Sequence, residues 1–204
     1  MQTRFNPEQD IIEEIISYSS RIFEYKVNQK GISYADYKTS WLKELGLGED
    51  AREEAKVKQT VKQIQKHLQT QFGEKRIQIE AKVAENMELR FKDDKDSNFF
   101  EFESSKLMAF DILDIATGTA FEFSLSDAFA EFFKDLLKAL LDSRVKKLYL
   151  CMRNHSYNTK GGTTSISKSG YIKVVNSPMI KQYVQLARLY KIEVNFINIF
   201  PEYS

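Results

Sequence analysis

With 204 residues, of which 42% are hydrophobic and 29% are charged, the chain has the size and composition of one globular domain and is too apolar for intrinsic disorder. It has no run approaching the roughly 18–20 apolar residues of a membrane span, and its start, MQTRFNPEQD, lacks the apolar segment of a signal peptide, so we expect a cytoplasmic protein. The net charge is +1. Cys151 is the only cysteine, and a single cysteine excludes an intramolecular disulfide and a cysteine-rich metal site.

Residues 1–75 are predicted to be helical. The segment Asn6-Pro7-Glu8-Gln9 has the pattern of a helix start, and this helix is expected to run to about Tyr25. A second capping pattern at Ser33 precedes a short helix that Gly46 ends. A third helix has apolar residues at helical spacing up to Phe72. Its other faces carry Lys56, Lys58, Lys62 and Lys66. These lysines indicate either an ordinary solvated surface or a surface that lies along phosphates.

From Arg76 onward, apolar and polar residues alternate as they do in β-strands. Five such segments predict an antiparallel meander: RIQIEAKV, MELRF, NFFEFE, LMAFDILDI and TAFEFSL. Ser126 is then expected to cap a helix with an apolar stripe through Leu141, with Lys134 and Lys138 in solvent. The remaining prediction is a strand at Lys147–Met152, a long polar loop to Ser177, a helix that Pro178 opens, and a closing strand, IEVNFINIF.

Charge is distributed unevenly along the chain. Residues 84–142 contain 14 acidic and 6 basic residues, whereas residues 143–192 contain 10 basic residues and no acidic one. This asymmetry suits a protein that holds a divalent cation in one place and a polyanion in another. Chance and solvation are the alternative explanation.

Two predicted strands carry carboxylates that can converge. Alternation places Glu122 and Ser124 on the polar face of TAFEFSL, and the preceding strand carries Asp111 and Asp114. A two-residue turn at Thr117-Gly118 would put Asp111 on the same face as Glu122, whereas a three-residue turn would put Asp114 there. Neighbouring carboxylates repel unless a cation lies between them, and hard oxygen ligands favour Mg²⁺. The alternative is two acids on a solvated sheet face.

The segment AFDILDIATGTAFEFS, followed by an amphipathic helix and an apolar strand, resembles the core of the PD-(D/E)XK nuclease superfamily. The resemblance covers roughly residues 98–200, and its layout is similar to the BglII group of type II restriction endonucleases. It implies an α/β fold with a restriction-endonuclease-like core (αβββαβ) in which helices flank a central mixed sheet, and it makes residues 76–204 the nuclease core. Phe110 stands where the family motif has Pro, and Ser124 stands where the family usually has Lys.

The resemblance implies a site-specific, Mg²⁺-dependent endonuclease, with Mn²⁺ as a substitute, that cuts double-stranded DNA to leave 5′-phosphate and 3′-hydroxyl ends. Asp111, Glu122 and the backbone carbonyl of Phe123 would bind the ion, and Ser124 would orient the attacking water. The missing positive charge would come from a second ion or from another lysine, such as Lys106. By analogy, cutting both strands implies a homodimer built by the N-terminal helices.

The predicted loop RNHSYNTKGGTTSISKSGYIK is rich in groups that read base edges or hold phosphates. It follows a core strand, and in restriction enzymes similar to this chain the region faces the DNA. The alternative is an ordinary surface loop. The candidate nucleic-acid-binding residues are Arg153, Asn154, His155, Lys160 and Lys168.

Two other functions fit the same sequence. The first is a nuclease-fold protein that binds DNA but has lost catalysis, which the serine at position 124 suggests. The second is a protein-interaction or inhibitor module on the same scaffold. The other acid-x-Lys segment, Glu80-Ala81-Lys82, is taken as coincidence because no Asp-bearing strand precedes it within reach of a hairpin.

Overall fold

A computed structural model of the protein describes residues 7–24, 43, 45–48, 53–83, 108–124, 128–152, 155–160, 163–168 and 171–199. The helices are α1 (Pro7–Glu24), α2 (Glu53–Phe72), α3 (Ala128–Leu141), α4 (Tyr171–Asn176) and α5 (Pro178–Leu189). The strands are β1 (Ile77–Lys82), β2 (Ala109–Asp114), β3 (Thr119–Ser124), β4 (Lys147–Met152), β5 (His155–Lys160), β6 (Thr163–Lys168) and β7 (Glu193–Asn198).

A mixed five-stranded sheet forms the centre of the fold, in the order β1-β2-β3-β4-β7. The first three strands are antiparallel neighbours, and β3, β4 and β7 run parallel. This confirms the predicted α/β class with a mixed sheet flanked by helices. None of the described helices combines the length and the apolar content that crossing a membrane requires.

Helices cover both faces of the sheet because apolar side chains project from both. On one face, α1 and α2 bury Ile15 and Ile64 against Phe121 and Cys151. On the other face, α3 and α5 bury Phe132 and Ile180 in a second cluster with strand residues such as Leu148. The thiol of Cys151 is buried in the first of these clusters.

The turn between β2 and β3 covers four residues, Ile115 to Gly118, and is longer than either turn considered from the sequence. The paired residues are Ile112–Phe121, Leu113–Ala120 and Asp114–Thr119. The predicted two-residue and three-residue turns are therefore both wrong. Extending the observed register by one residue brings Asp111 opposite Glu122.

Gly118 makes this turn possible. Its φ is +68°, a left-handed conformation that glycine adopts without steric cost. A Cβ atom there would lie 2.5 Å from the carbonyl oxygen of Arg144. The Gly118 N–H donates to the Asp114 carbonyl at 2.9 Å, and its own carbonyl accepts from Lys146 N at 2.8 Å. The turn is thus fixed against the connection from α3 to β4.

The segment from Arg153 to Ser177 is not the long loop that we predicted. It contains the hairpin of β5 and β6 and the short helix α4. Lys160 pairs with Thr163, so only two glycines, Gly161 and Gly162, separate the paired ends. A Gly-Gly pair between two threonine-containing runs is a hairpin signal that the sequence prediction missed.

Helices α1, α2, α3 and α5 and the strands β1, β2, β3, β4 and β7 confirm the corresponding sequence predictions to within a few residues. The strands predicted at MELRF and NFFEFE lie outside the described residues, as does most of the helix predicted after Ser33. At the end of that helix, Lys43 is helical and Gly46 has a φ of +65°, in agreement with the predicted stop.

Candidate functional site

A cavity of about 330 Å³ lies beside β2 and β3, between α2 and α3. Its floor is formed by strand residues and its two walls by the helices. The helix α2 contributes Lys58, Val61, Lys62 and Gln65, the strands contribute Glu80, Ala109, Asp111, Glu122 and Phe123, and α3 contributes Glu131, Lys134 and Lys138.

Asp111 and Glu122 both line this cavity, and each carboxyl group influences the pKa of the other. Glu122 is buried. A carboxylate oxygen of Asp111 accepts a 2.8 Å hydrogen bond from the backbone N–H of Phe123. The structure therefore brings together the pair of carboxylates that the sequence placed on adjacent strands.

The β-ladder is irregular at Asp111. Phe110 and Leu113 both contact the α3 side of the sheet, although strict alternation would put them on opposite faces. The Asp111 carbonyl accepts a 2.8 Å hydrogen bond from the side chain of Gln65 on α2. Across the ladder, Glu80 has a φ of +45° and lines the cavity. The residue that departs from strict alternation is Phe110, whereas Asp111 keeps the face of Glu122 that the register gives it.

Lys138 is the residue that the sequence analysis placed wrongly. It is buried rather than solvated, and its ammonium group forms ion pairs with Glu122 and with Asp135, the latter at 2.8 Å. It also donates to the carbonyl of Ala109 at 3.0 Å. The reason is the orientation of α3: the helix turns Asp135 and Lys138 inward, and Leu137, predicted to be in the apolar stripe, is 48% exposed.

Burial dominates the protonation of this cluster. It raises the pKa of Asp111, and together with the charges of Asp111 and Asp135 it raises the pKa of Glu122 well above its usual range. Burial also raises the pKa of Asp135 to about 6, against the opposing effect of Lys138. Although burial acts to lower the pKa of Lys138, the charges of Glu122 and Asp135 raise it. The four groups form one cluster in which a single lysine offsets three carboxyl groups.

Asp114 has a different role from Asp111. Its carboxylate accepts hydrogen bonds from Arg76 at 3.1 and 3.0 Å, from Thr117 at 2.9 Å and from the backbone N–H of Ala116 at 3.1 Å. It is fully buried and is not among the residues that line the cavity. Of the two aspartates left open by the sequence, Asp111 is the one that meets Glu122, and Asp114 holds the β2–β3 turn.

The other predicted site residues are placed as follows. Phe123 lines the cavity, and the group it directs to Asp111 is its N–H, not its carbonyl. Ser124 is buried with an unpaired hydroxyl and is not among the lining residues of the cavity. Lys106 lies outside the described residues. Lys138, on α3, occupies the place beside Glu122 for which Lys106 was considered.

The candidate nucleic-acid-binding residues follow β4. Ser124 of β3 pairs with Met152, so β3 and β4 end side by side two residues beyond Glu122, and the β5–β6 hairpin follows β4 in the chain. His155 pairs with Lys168 at the base of this hairpin, and Lys160 lies at its far end. Arg153 and Asn154 lie outside the described residues.

The donor set at the cavity floor fits a hard divalent cation bound by few protein ligands. Among the described residues, no group of three or more His, Cys, Asp or Glu side chains is arranged to hold a metal ion. Mg²⁺ commonly uses only one or two carboxylates and completes its shell with water and phosphate oxygens. Asp111 and Glu122 provide such a pair, and burial first, with the charges of Asp111 and Asp135 second, raises the pKa of Glu122.

No family model, curated protein or solved structure matches the chain.

Proposed function

We propose that the protein is a Mg²⁺-dependent DNA endonuclease whose active site is the cavity between α2 and α3. The strongest support is that Asp111 of β2, Glu122 of β3 and Lys138 of α3 line the same cavity. Two carboxylates and a lysine are the charged groups that the PD-(D/E)XK resemblance requires. In this proposal Lys138 replaces the motif lysine, whose place in the sequence Ser124 occupies.

Asp111 and Glu122 are the side chains that would hold the cation. A divalent ion bound there supplies Lewis-acid stabilisation of the negative charge that develops on a scissile phosphate. Asp111 is oriented by the N–H of Phe123, and Gln65 fixes the backbone that carries it. These contacts hold the carboxylate in place before a substrate arrives, which is the condition for effective electrostatic catalysis.

The chain's own charged groups have separate tasks in this proposal. Lys138 supplies a fixed positive charge at the cavity, and a preorganised cation stabilises developing negative charge more effectively in a site that excludes water. Glu122 has the task of cation ligand, and its ion pair with Lys138 places that positive charge beside the ligand pair.

The finer features of a type II restriction enzyme belong to the same proposal. These are recognition of a specific double-stranded site, 5′-phosphate and 3′-hydroxyl products, and a homodimer in the cytoplasm. Among the described residues, exposed apolar side chains are most frequent on α5, including Met179, Tyr183 and Leu186. We therefore expect α5 to offer more apolar surface for a two-fold contact than α1, whose Ile11 and Ile15 are buried within the chain.

The test is cleavage of plasmid and phage DNA in the presence of Mg²⁺. We expect Asp111→Asn, Glu122→Gln and Lys138→Met each to lower the cleavage rate by about 100-fold or more. Glu74→Gln is the matched control, because Glu74 is an exposed acid of the turn before β1 and does not line the cavity. Cleavage that continues at the wild-type rate in Asp111→Asn and Glu122→Gln would rule out the assigned site.

One observation favours a second function, DNA binding without catalysis. Lys138 already neutralises Glu122 by a direct ion pair, so the carboxylate has a partner before any cation arrives. If this pair persists in the presence of Mg²⁺, the protein binds DNA and does not cut it. Salt-sensitive binding of duplex DNA together with intact substrate after long incubation is the result that this alternative predicts.

A further inference from the structure

We infer that Lys58 and Lys62 of α2 bind the sugar–phosphate backbone of the substrate DNA at the rim of the cavity. This inference rests on the proposed function and adds a binding surface to it. It assigns phosphate contacts to the N-terminal helical part of the chain, whereas the sequence resemblance placed them after β4.

The first argument is position. Lys58 and Lys62 are exposed residues of α2, and both line the cavity that has Asp111 and Glu122 on its floor. Residues four apart on a helix lie on the same face, with Cβ atoms about 5–6 Å apart. The two ammonium groups are therefore presented side by side along one wall of the cavity.

The second argument is the state of the lysines around the cavity, as seen in the part of the chain that the structure describes. On the opposite wall, Lys134 forms an ion pair with Glu131, and Lys138 is held by Glu122 and Asp135. Within the described part of the chain, neither Lys58 nor Lys62 has a carboxylate within ion-pair distance. Two adjacent cations that have no ion-pair partner among the described residues are suited to bind an anion from outside.

The third argument is that α2 is fixed relative to the carboxylates. Gln65, which is buried, donates to the carbonyl of Asp111 at 2.8 Å, and Val61 packs in the core beneath the helix. Lys62 lies three residues before Gln65, so its distance from Asp111 is set by this contact. A strand whose scissile phosphate lies at Asp111 would then have neighbouring phosphates beside α2.

The charges of the cavity favour a polymer over a small anion. Its floor carries Asp111, Glu122 and the exposed Glu80, which repel a lone anion. A nucleic acid strand meets the rim with several phosphates at once, and each contact adds independently to affinity. Lysine binds phosphate as a point charge and reads no base, so this contact positions the strand without selecting a sequence.

The experiment measures binding of a fluorescent 30-base-pair duplex by anisotropy in EDTA, so that neither cleavage nor a bound cation contributes. The dissociation constant is measured between 50 and 300 mM KCl for the wild type and for the double variant Lys58→Gln/Lys62→Gln. Each lost phosphate contact removes about 0.9 from the slope of log affinity against log salt. We expect the slope of the double variant to be shallower by roughly 1.8.

Lys66→Gln is the matched control, because Lys66 is exposed one turn further along α2 and does not line the cavity. We expect it to keep the wild-type slope. A wild-type slope in the double variant overturns the inference. The inference is also overturned if Lys66→Gln lowers the slope by as much as each lysine of the double variant does, because the overall positive charge of α2 would then explain the effect. Thermal melting checks that all variants are folded, because exposed substitutions of this kind change stability little.

The outcomes also separate this inference from the proposed function. DNA cleavage with an unchanged slope in the double variant overturns the inference and leaves the nuclease. Binding without cleavage, with the expected loss of slope, overturns the nuclease and supports the contact surface. Absence of wild-type binding at 50 mM KCl in EDTA overturns the inference, and the Mg²⁺ cleavage test decides the proposed function separately.

Discussion

Lys138 of α3 and Glu122 of β3 form a buried ion pair in which both side chains are only 4% exposed. The pair links the helix to the strand, and the same lysine also contacts Asp135. A buried charge needs its partners because the low-polarity interior does not solvate it. Removal of one partner is therefore expected to affect both the fold and the cavity, and the two effects can be measured separately.

Replacing Lys138 with Met should strongly destabilise the protein. The substitution leaves Glu122 and Asp135 without their cation, and breaking a buried pair in this way costs about 3–5 kcal/mol. The measurement is the free energy of unfolding in urea at pH 7.5. Lys134→Met is the control, since the Lys134 side chain is 50% exposed and its loss should change stability by no more than about 0.5 kcal/mol. Equal effects of the two substitutions would contradict the buried pair.

Asp135 should make the stability of the protein depend on pH between about 4 and 6. Burial raises its pKa from 3.8 to about 6 on folding, so the folded state binds this proton more tightly than the unfolded state. The resulting stabilisation is complete below the unfolded pKa and is lost as the pH rises through about 6. In Asp135→Asn this dependence is absent.

We therefore expect the stability of Asp135→Asn relative to the wild type to increase between pH 4 and pH 7. Urea unfolding at several pH values measures this difference. A difference that stays constant over the range, or one that decreases, would show that Asp135 does not gain proton affinity on folding.

Divalent cations should stabilise the folded protein through Asp111. Binding to the native state alone adds RT ln(1 + [L]/Kd), which is about 1.4 kcal/mol at a cation concentration ten times Kd. The measurement is the melting temperature in Mn²⁺ or Mg²⁺ relative to EDTA. We expect the rise to disappear in Asp111→Asn and to persist in Asp114→Asn, which lowers the starting stability because Arg76 loses its carboxylate partner. The same rise in Asp111→Asn as in the wild type would exclude a cation at this position.

Gly118→Ala should destabilise the β2–β3 turn. A left-handed conformation costs a non-glycine residue about 1–3 kcal/mol, and the new Cβ would also lie 2.5 Å from the Arg144 carbonyl. Gly73→Ala is the control, because Gly73 also has a positive φ, of +86°, but its Cβ would meet no atom within 4 Å. We expect a larger loss at Gly118 in chemical denaturation. Equal losses would mean that the contact with Arg144 relaxes without cost.

Periodicity predicted most of the regular elements because each helix and strand buries one continuous set of apolar residues. It succeeded for β4, where Leu148, Leu150 and Met152 are buried on one face. It failed at Lys138, because a hydrophobic pattern treats every lysine as solvated. The burial of Lys138 depends on carboxylates from β3 and from its own helix. The periodicity of one helix does not show that the β3 carboxylate lies beside it in the fold.

The site was predicted in part for a related reason. The convergence of Asp111 and Glu122 followed from adjacent strands, but the choice between Asp111 and Asp114 depended on the turn length. The four-residue turn is held by the hydrogen bonds of Gly118, and the Asp111 carbonyl is bound by Gln65 of α2. Neither contact is encoded in the strand residues themselves.

The hydrogen bond from Gln65 to the Asp111 carbonyl also bears on how the chain folds. Side chains from α1 and α2, such as Ile15 and Ile64, share one hydrophobic cluster with Phe121 and Cys151 of the sheet. A fragment that begins at residue 76 would present this apolar surface to water and leave the carbonyl without its amide donor. The helices are thus part of one cooperative unit with the sheet, and the segment from β1 onward cannot be grafted onto another protein without them.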